Sequence, residues 1–156
     1  MAERSKLSLA TLGFDIDVGA SPSIESARDA LGGRLATERG AGEIVTVSMK
    51  RGGDAHGVVV CVSGNGRDVW IGEGRFVRTS AERVTKAHRS TAELDAVASD
   101  ARRFAALREG EPVRATKRDG TTVDGILAEK CRYGALVVDG VAVLAVSFRR
   151  VVAAPS

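Results

Sequence analysis

The sequence predicts a mainly β protein with helices: two small five-stranded barrels in tandem, each preceded by a helix. Three observations carry this. The stretch "GEPVRATKRDGTTVDG" at 110–125 repeats "GEIVTVSMKRGGDAHG" at 42–57, and a gapless slide of 68 residues matches Gly42 with Gly110, Glu43 with Glu111, Val45 with Val113, Gly52 with Gly120 and Gly57 with Gly125. The register continues through Gly66/Gly134, Val69/Val137 and Gly72/Gly140, then slips by one residue to set Arg83-Val84 opposite Arg150-Val151. The matched glycines fall between β-branched runs at the spacing of hairpin turns, which is the second observation. The third is a helical pattern ahead of each copy.

The elements follow in chain order. Residues 1–41 read as an N-terminal arm and a short helix, with Leu7, Leu9, Phe14, Ile16 and Val18 partly alternating, as a strand or an ordered arm would. Ser21 and Pro22 suit a helix start, Ile24, Ala27 and Leu31 share one side, and Gly32-Gly33 stops the run. The first barrel, 42–86, has strands at about 43–49, 57–63, 68–72 and 75–79, a Gly64-Asn65-Gly66 hairpin, and a tight turn at "SAERV". A connecting helix lies within 87–109, where Ser90-Thr91-Ala92-Glu93 forms a capping box and Leu94, Val97, Ala98, Ala101, Phe104 and Ala105 recur at helical spacing. The second barrel, 110–156, has strands at about 112–118, 123–131, 135–139 and 141–147, with turns at Tyr133-Gly134 and Asp139-Gly140.

A barrel of this size sits near the lower limit for a core without disulfides or metal, so each copy needs a neighbour. The strand "VAVLAV" is apolar on both faces and is expected to be covered on both sides, by the helix at 91–109, the first barrel or another subunit. Its counterpart "GRFVRT" carries Arg75 and Arg78 and reads as half exposed.

Four short antiparallel strands, a one-turn helix and a closing strand resemble the small five-stranded barrels of the Src-homology (SH3-like), Tudor, Sm and KOW modules, over 42–86 and 110–154. Many KOW and Sm modules contact nucleic acid, so the resemblance implies a basic face that holds phosphates. Arg114, Lys117, Arg118, Lys130, Arg132, Arg149 and Arg150 form the best cluster, with Arg114 and Arg118 on one outward strand face. The alternative is a protein-binding adaptor or scaffold that uses barrel edges, with Arg75, Phe76 and Arg78 as the interface, as a monomer or a homodimer. The chain lacks the acidic-aromatic signature of proline-peptide binders and the clustered aromatics of a methyl-lysine cage. Trp70, Phe76 and Tyr133 are too few for a stacking platform and read as core.

Composition narrows the setting. With 44% apolar and 28% charged residues of both signs, a net charge of +3 and an excess of only +2 in 110–156, the chain is globular and mildly basic, without a basic tail. Asp15 and Asp17 interrupt the apolar stretch that follows Arg4 and Lys6, which argues against a signal peptide, and the longest apolar run is too short to span a bilayer. A cytoplasmic protein with Cys61 and Cys131 reduced is the expectation. No cofactor, metal site or catalytic set is expected. His56 and His88 lack ligand-spaced partners, Cys61 sits inside the apolar run "GVVVCV", and "SGNGRDVWIGEG" misses the glycine spacing of a nucleotide loop.

Overall fold

Buried Val45 and Val47 alternate with more exposed neighbours in β2 (Ile44–Ser48), the pattern of a strand with one face on a core. Similar patterns run through the computed structural model, which describes residues 12–14, 23–34, 41–72, 74–140 and 142–155. β3 (Asp54–Ser63), β4 (Gly66–Gly72) and β5 (Arg75–Ser80) follow β2 as an antiparallel meander. A one-turn 3₁₀ segment, Ala81–Arg83, leads to β6 (Val84–Lys86), which returns to pair with β2. The resulting five-stranded sheet has the order β5-β4-β3-β2-β6.

The second copy repeats this arrangement strand by strand. β7 (Pro112–Thr116), β8 (Thr122–Lys130), β9 (Gly134–Asp139) and β10 (Ala142–Ser147) form the meander. The 3₁₀ turn Phe148–Arg150 then leads to β11 (Val151–Ala153), giving the order β10-β9-β8-β7-β11. Equivalent backbone bonds recur: Gly42 N and Gly110 N donate to the Val59 and Leu127 carbonyls at 2.7 Å each, and Met49 N and Lys117 N donate to Gly53 and Thr121 at 3.0 and 2.8 Å. After the one-residue slip, Ala81 N donates to Asn65 and Phe148 N to Tyr133, at 2.9 and 2.8 Å. Each sheet carries an irregularity at the same place, between Val59 and Cys61 and between Leu127 and Glu129. The duplication read from the glycines is therefore a duplication of hydrogen bonding.

Among the described residues no ladder joins β5 to β6 or β10 to β11, so both sheets are open, a departure from the closed cylinders expected. Each closing strand is only three residues long and pairs along β2 or β7 instead. The second sheet gains a sixth strand, β1 (Leu12–Phe14), which pairs in parallel with Val143–Ala145 of β10. This strand lies within the arm expected at 7–18; Asp15, Asp17, Ser21 and Pro22 lie outside the described residues.

Chain contacts define two compact units, one from the described residues of 36–106 and one from those of 1–35 and 107–156. α1 (Ile24–Ala30) therefore belongs with the second sheet. Its Ala27 and the following Leu31 are buried in one cluster with Cys131, Leu136, Val143 and Ala145. Ser23 caps this helix through a reciprocal box with Ser26, and the positive φ of Gly32 and Gly33 ends the turn. α2 (Ala92–Ala106) packs on β3 and β2 of the first sheet, burying Leu94, Val97, Ala98, Ala101 and Phe104. Thr91 Oγ1, not Ser90, accepts from Leu94 N at 3.1 Å, one residue later than the expected cap.

Periodicity found both helices but not their partners, because an apolar stripe shows that a helix is covered without showing by what. Coverage of β10 agrees with its all-apolar sequence: Val143, Leu144, Ala145 and Val146 are buried, whereas Arg75 and Arg78 of β5 are exposed. Trp70 is 3% exposed and belongs to the core, as expected.

α1 is also held by charge. Arg28 donates from Nε and Nη2 to Glu129 Oε2 and Oε1 at 2.6 and 3.2 Å, and Arg34 Nη1 stands 3.0 Å from Oε1. The Glu129 side chain is 4% exposed, and its carboxylate raises the Arg28 pKa above the ordinary guanidinium value. Cys131 is buried beside it, and desolvation first, then the Glu129 charge, pushes its thiol up to about 12. A thiol so raised keeps its proton in the folded chain after the unfolded chain has lost it. Stability should therefore fall, by about 1.4 kcal/mol per pH unit, as pH climbs from the ordinary thiol range toward 12. Chemical denaturation of the wild type and of Cys131→Ala across that window should show a fall that is steeper for the wild type by about this slope.

Candidate binding edge and basic cleft

The turn after β2 begins the site. Met49 N donates to Gly53, and Gly52 and Gly53 both adopt positive φ, so the chain reverses within "MKRGG" and leaves Lys50 and Arg51 exposed. Opposite stands the C-terminal half of β5. The two walls, Val47–Arg51 and Val77–Ser80, enclose with Arg83 a cleft of about 570 Å³, within the usual size range of ligand sites. Val47 is buried, and Met49 and Val77 pack against the cluster of Val45, Val47, Val59 and Val69, which gives the cleft an apolar floor.

The rim is basic. Among the described residues, Lys50, Arg51, Arg78 and Arg83 line the cleft and no acidic side chain does. Glu82, the acidic neighbour of Arg83, accepts from Asn65 Nδ2 at 3.1 Å instead. Arg78 is steadied by buried Asp68, with Nε 3.5 Å from Oδ1, while more than half of its own side chain stays exposed. On the same strand Arg75 is exposed and Phe76 half-buried.

The structure places the members of the expected cluster on the second sheet in unlike surroundings. Lys130 is buried at 4% exposure, with Nζ donating to the Leu107 carbonyl at 2.8 Å, so its ammonium points inward, contrary to the reading of it as a phosphate contact. Arg114 makes a two-pronged pair with Asp124, at 2.7 and 3.0 Å, which raises the Arg114 pKa and lowers that of Asp124. β7 ends at Thr116, so Arg118 lies in the turn and not on a strand face shared with Arg114. Arg150 Nη1 donates to the Lys117 carbonyl at 3.2 Å, drawing together the turn and the 3₁₀ segment where the first sheet has its cleft. Arg132 is half-buried beside the end of α1, its N donating to Gly33, and Arg149 is half-buried in the 3₁₀ turn.

Lys50, Arg51 and Arg83 escaped the sequence reading, although Lys50 and Arg83 are the repeat counterparts of Arg118 and Arg150. Comparing the two copies position by position would have found Lys50 and Arg83, but not Arg51, whose counterpart is Asp119. The same comparison exposes the main asymmetry. β10 and β5 are equivalent strands, offset by 67 residues because both end at the serine that precedes a 3₁₀ turn, Ser147 and Ser80. β10 has β1 along its outer side, whereas among the described residues β5 ends its sheet.

Elsewhere little is arranged for chemistry. His56 is exposed with Nδ1 3.0 Å from Thr46 Oγ1, His88 is exposed, and both thiols are buried. Among the described residues no three His, Cys, Asp or Glu side chains come together as a metal site, and no helix is long and apolar enough to cross a membrane. No family model and no curated protein matches the chain.

Proposed function

We propose that the chain is a non-enzymatic protein-binding module that docks an extended partner segment along β5. One observation carries this reading: the equivalent strand of the second sheet, β10, already holds such a segment, β1, in parallel pairing. An edge strand offers a row of backbone donors and acceptors, which is the template used in strand addition. Arg75, Phe76 and Arg78 lie on that strand. The strand order, with a 3₁₀ turn before the last strand, further supports reading each sheet as the wall of a small SH3-like barrel. A cytoplasmic setting accords with two buried cysteines that are not joined in a disulfide.

The direct test uses a peptide of residues 9–18 of this chain, which contains the segment that pairs with β10. Added in excess to the full chain, it should slow hydrogen exchange of the β5 amides. Unchanged exchange throughout 75–80 at millimolar peptide would overturn the reading.

A nucleic-acid reading is favoured by the repeated basic positions Lys50/Arg83 and Arg118/Arg150. It predicts binding to an oligonucleotide that weakens with added salt and falls at least about ten-fold in the variant carrying Glu at all four positions. A fluorescence-polarisation titration that stays flat at low salt removes it.

A further inference from the structure

We infer that the segment received by β5 is acidic and runs parallel to it, so that carboxylates following the paired stretch lie in the cleft rimmed by Lys50, Arg51 and Arg83. This rests on β5 being a docking edge and adds the chemistry and direction of the partner.

Direction comes from the repeat. β1 pairs Leu12, Gly13 and Phe14 with Val143, Leu144 and Ala145, whose counterparts are Phe76, Val77 and Arg78. A segment taken up in the same sense crosses those three residues and continues along Thr79 and Ser80 toward Arg83. Val77–Ser80 and Arg83 are themselves lining residues of the cleft, so the continuation of a parallel strand meets the basic rim. An antiparallel segment would instead bring its downstream residues toward Arg75 and out of the cleft.

Charge comes from the difference between the edges. β10 reads "AVLAVS" and is uncharged, whereas β5 reads "RFVRTS" and places two arginines where β10 has Ala142 and Ala145. In the second unit the Arg150 contact to the Lys117 carbonyl spans the position of the cleft, while in the first the cleft stays open with four basic side chains and no acid among its described lining residues. An acidic peptide answers both features. Its backbone satisfies the strand edge, and its carboxylates meet guanidinium and ammonium groups that are still solvated, which steers docking without a heavy desolvation cost. The apolar floor at Val47, Met49 and Val77 suits an aliphatic side chain between the acidic ones.

Three probes separate the outcomes on the ¹⁵N-labelled full chain: peptide 9–18, whose Asp15 and Asp17 follow the pairing stretch; the same peptide with both aspartates changed to Asn; and a single-stranded oligonucleotide. The acidic peptide should shift the β5, Lys50 and Arg51 amides. It should bind at least about ten-fold more tightly than the Asn peptide, a difference of about 1.4 kcal/mol, and lose that advantage in Lys50→Glu/Arg83→Glu. A spin label on its C-terminus should broaden Ser80 and Arg83 rather than Arg75. Equal binding of the two peptides at β5, or broadening centred on Arg75, overturns the inference while leaving β5 a docking edge. Absence of any shift at β5 removes the docking edge itself. Oligonucleotide binding that Lys50→Glu/Arg83→Glu abolishes, with neither peptide bound, overturns both in favour of a nucleic-acid partner.

Discussion

Gly57→Ala and Gly125→Ala are each expected to destabilise the sheet that holds them by about 3 kcal/mol or more, although neither glycine has an unusual φ. The reason is close approach. A Cβ at Gly57 would fall inside the carbonyl oxygen of Trp70, and one at Gly125 inside that of Val138, which is the repeat counterpart of Trp70. Both obstacles are backbone atoms of the neighbouring strand, so relief requires the two strands to separate. The turn glycines behave differently: at Gly52 and Gly120 a Cβ meets nothing within 4 Å, and the cost is only the left-handed conformation, about 1–2 kcal/mol. Trp70, the only tryptophan, sits in the first sheet, so its fluorescence reports on that unit. Urea titrations followed by fluorescence should move strongly for Gly57→Ala, whereas Gly125→Ala should be seen mainly by far-ultraviolet circular dichroism. Turn and strand variants of equal cost would contradict the shared geometry.

The same glycines explain what the sequence made legible. Spacing identified them as punctuation, and that was enough to place nearly every strand, because a hairpin needs its turn residues at fixed offsets. Spacing also separated "VAVLAV" from "GRFVRT" by burial, since two-sided coverage demands apolar residues on both faces. Partnerships over long distances left no such trace. That α1 covers the second sheet and α2 packs on the first depends on the path of the chain in space, which an amphipathic stripe does not encode. Two members of the basic cluster were misplaced for a related reason. Lys130 and Arg114 look like surface charges in one dimension, and only the fold supplies the Leu107 carbonyl and the Asp124 carboxylate that engage them. β1 was half legible, as alternation in an arm, but its place beside β10 was not.

Arg28→Ala should cost about 3 kcal/mol, an effect as large as that of a core truncation, because it removes the two-pronged partner of a carboxylate that is 4% exposed. Arg34 remains 3.0 Å away but is 40% exposed, so it screens Glu129 less effectively and is tied as well to Glu109 at 2.8 Å. Arg28→Lys should recover only part of the loss, since an ammonium cannot reproduce the paired Nε and Nη2 bonds. Removing both charges tells a different story: Arg28→Met with Glu129→Leu eliminates the buried carboxylate together with its partner and should lie close to wild type. The ion pair would then be a device for docking α1 in one register on the Cys131–Leu136–Val143 surface, and not the source of the unit's stability. Thermal unfolding of the three variants decides the matter. A double variant as unstable as Arg28→Ala would mean that the pair contributes net stability beyond positioning the helix.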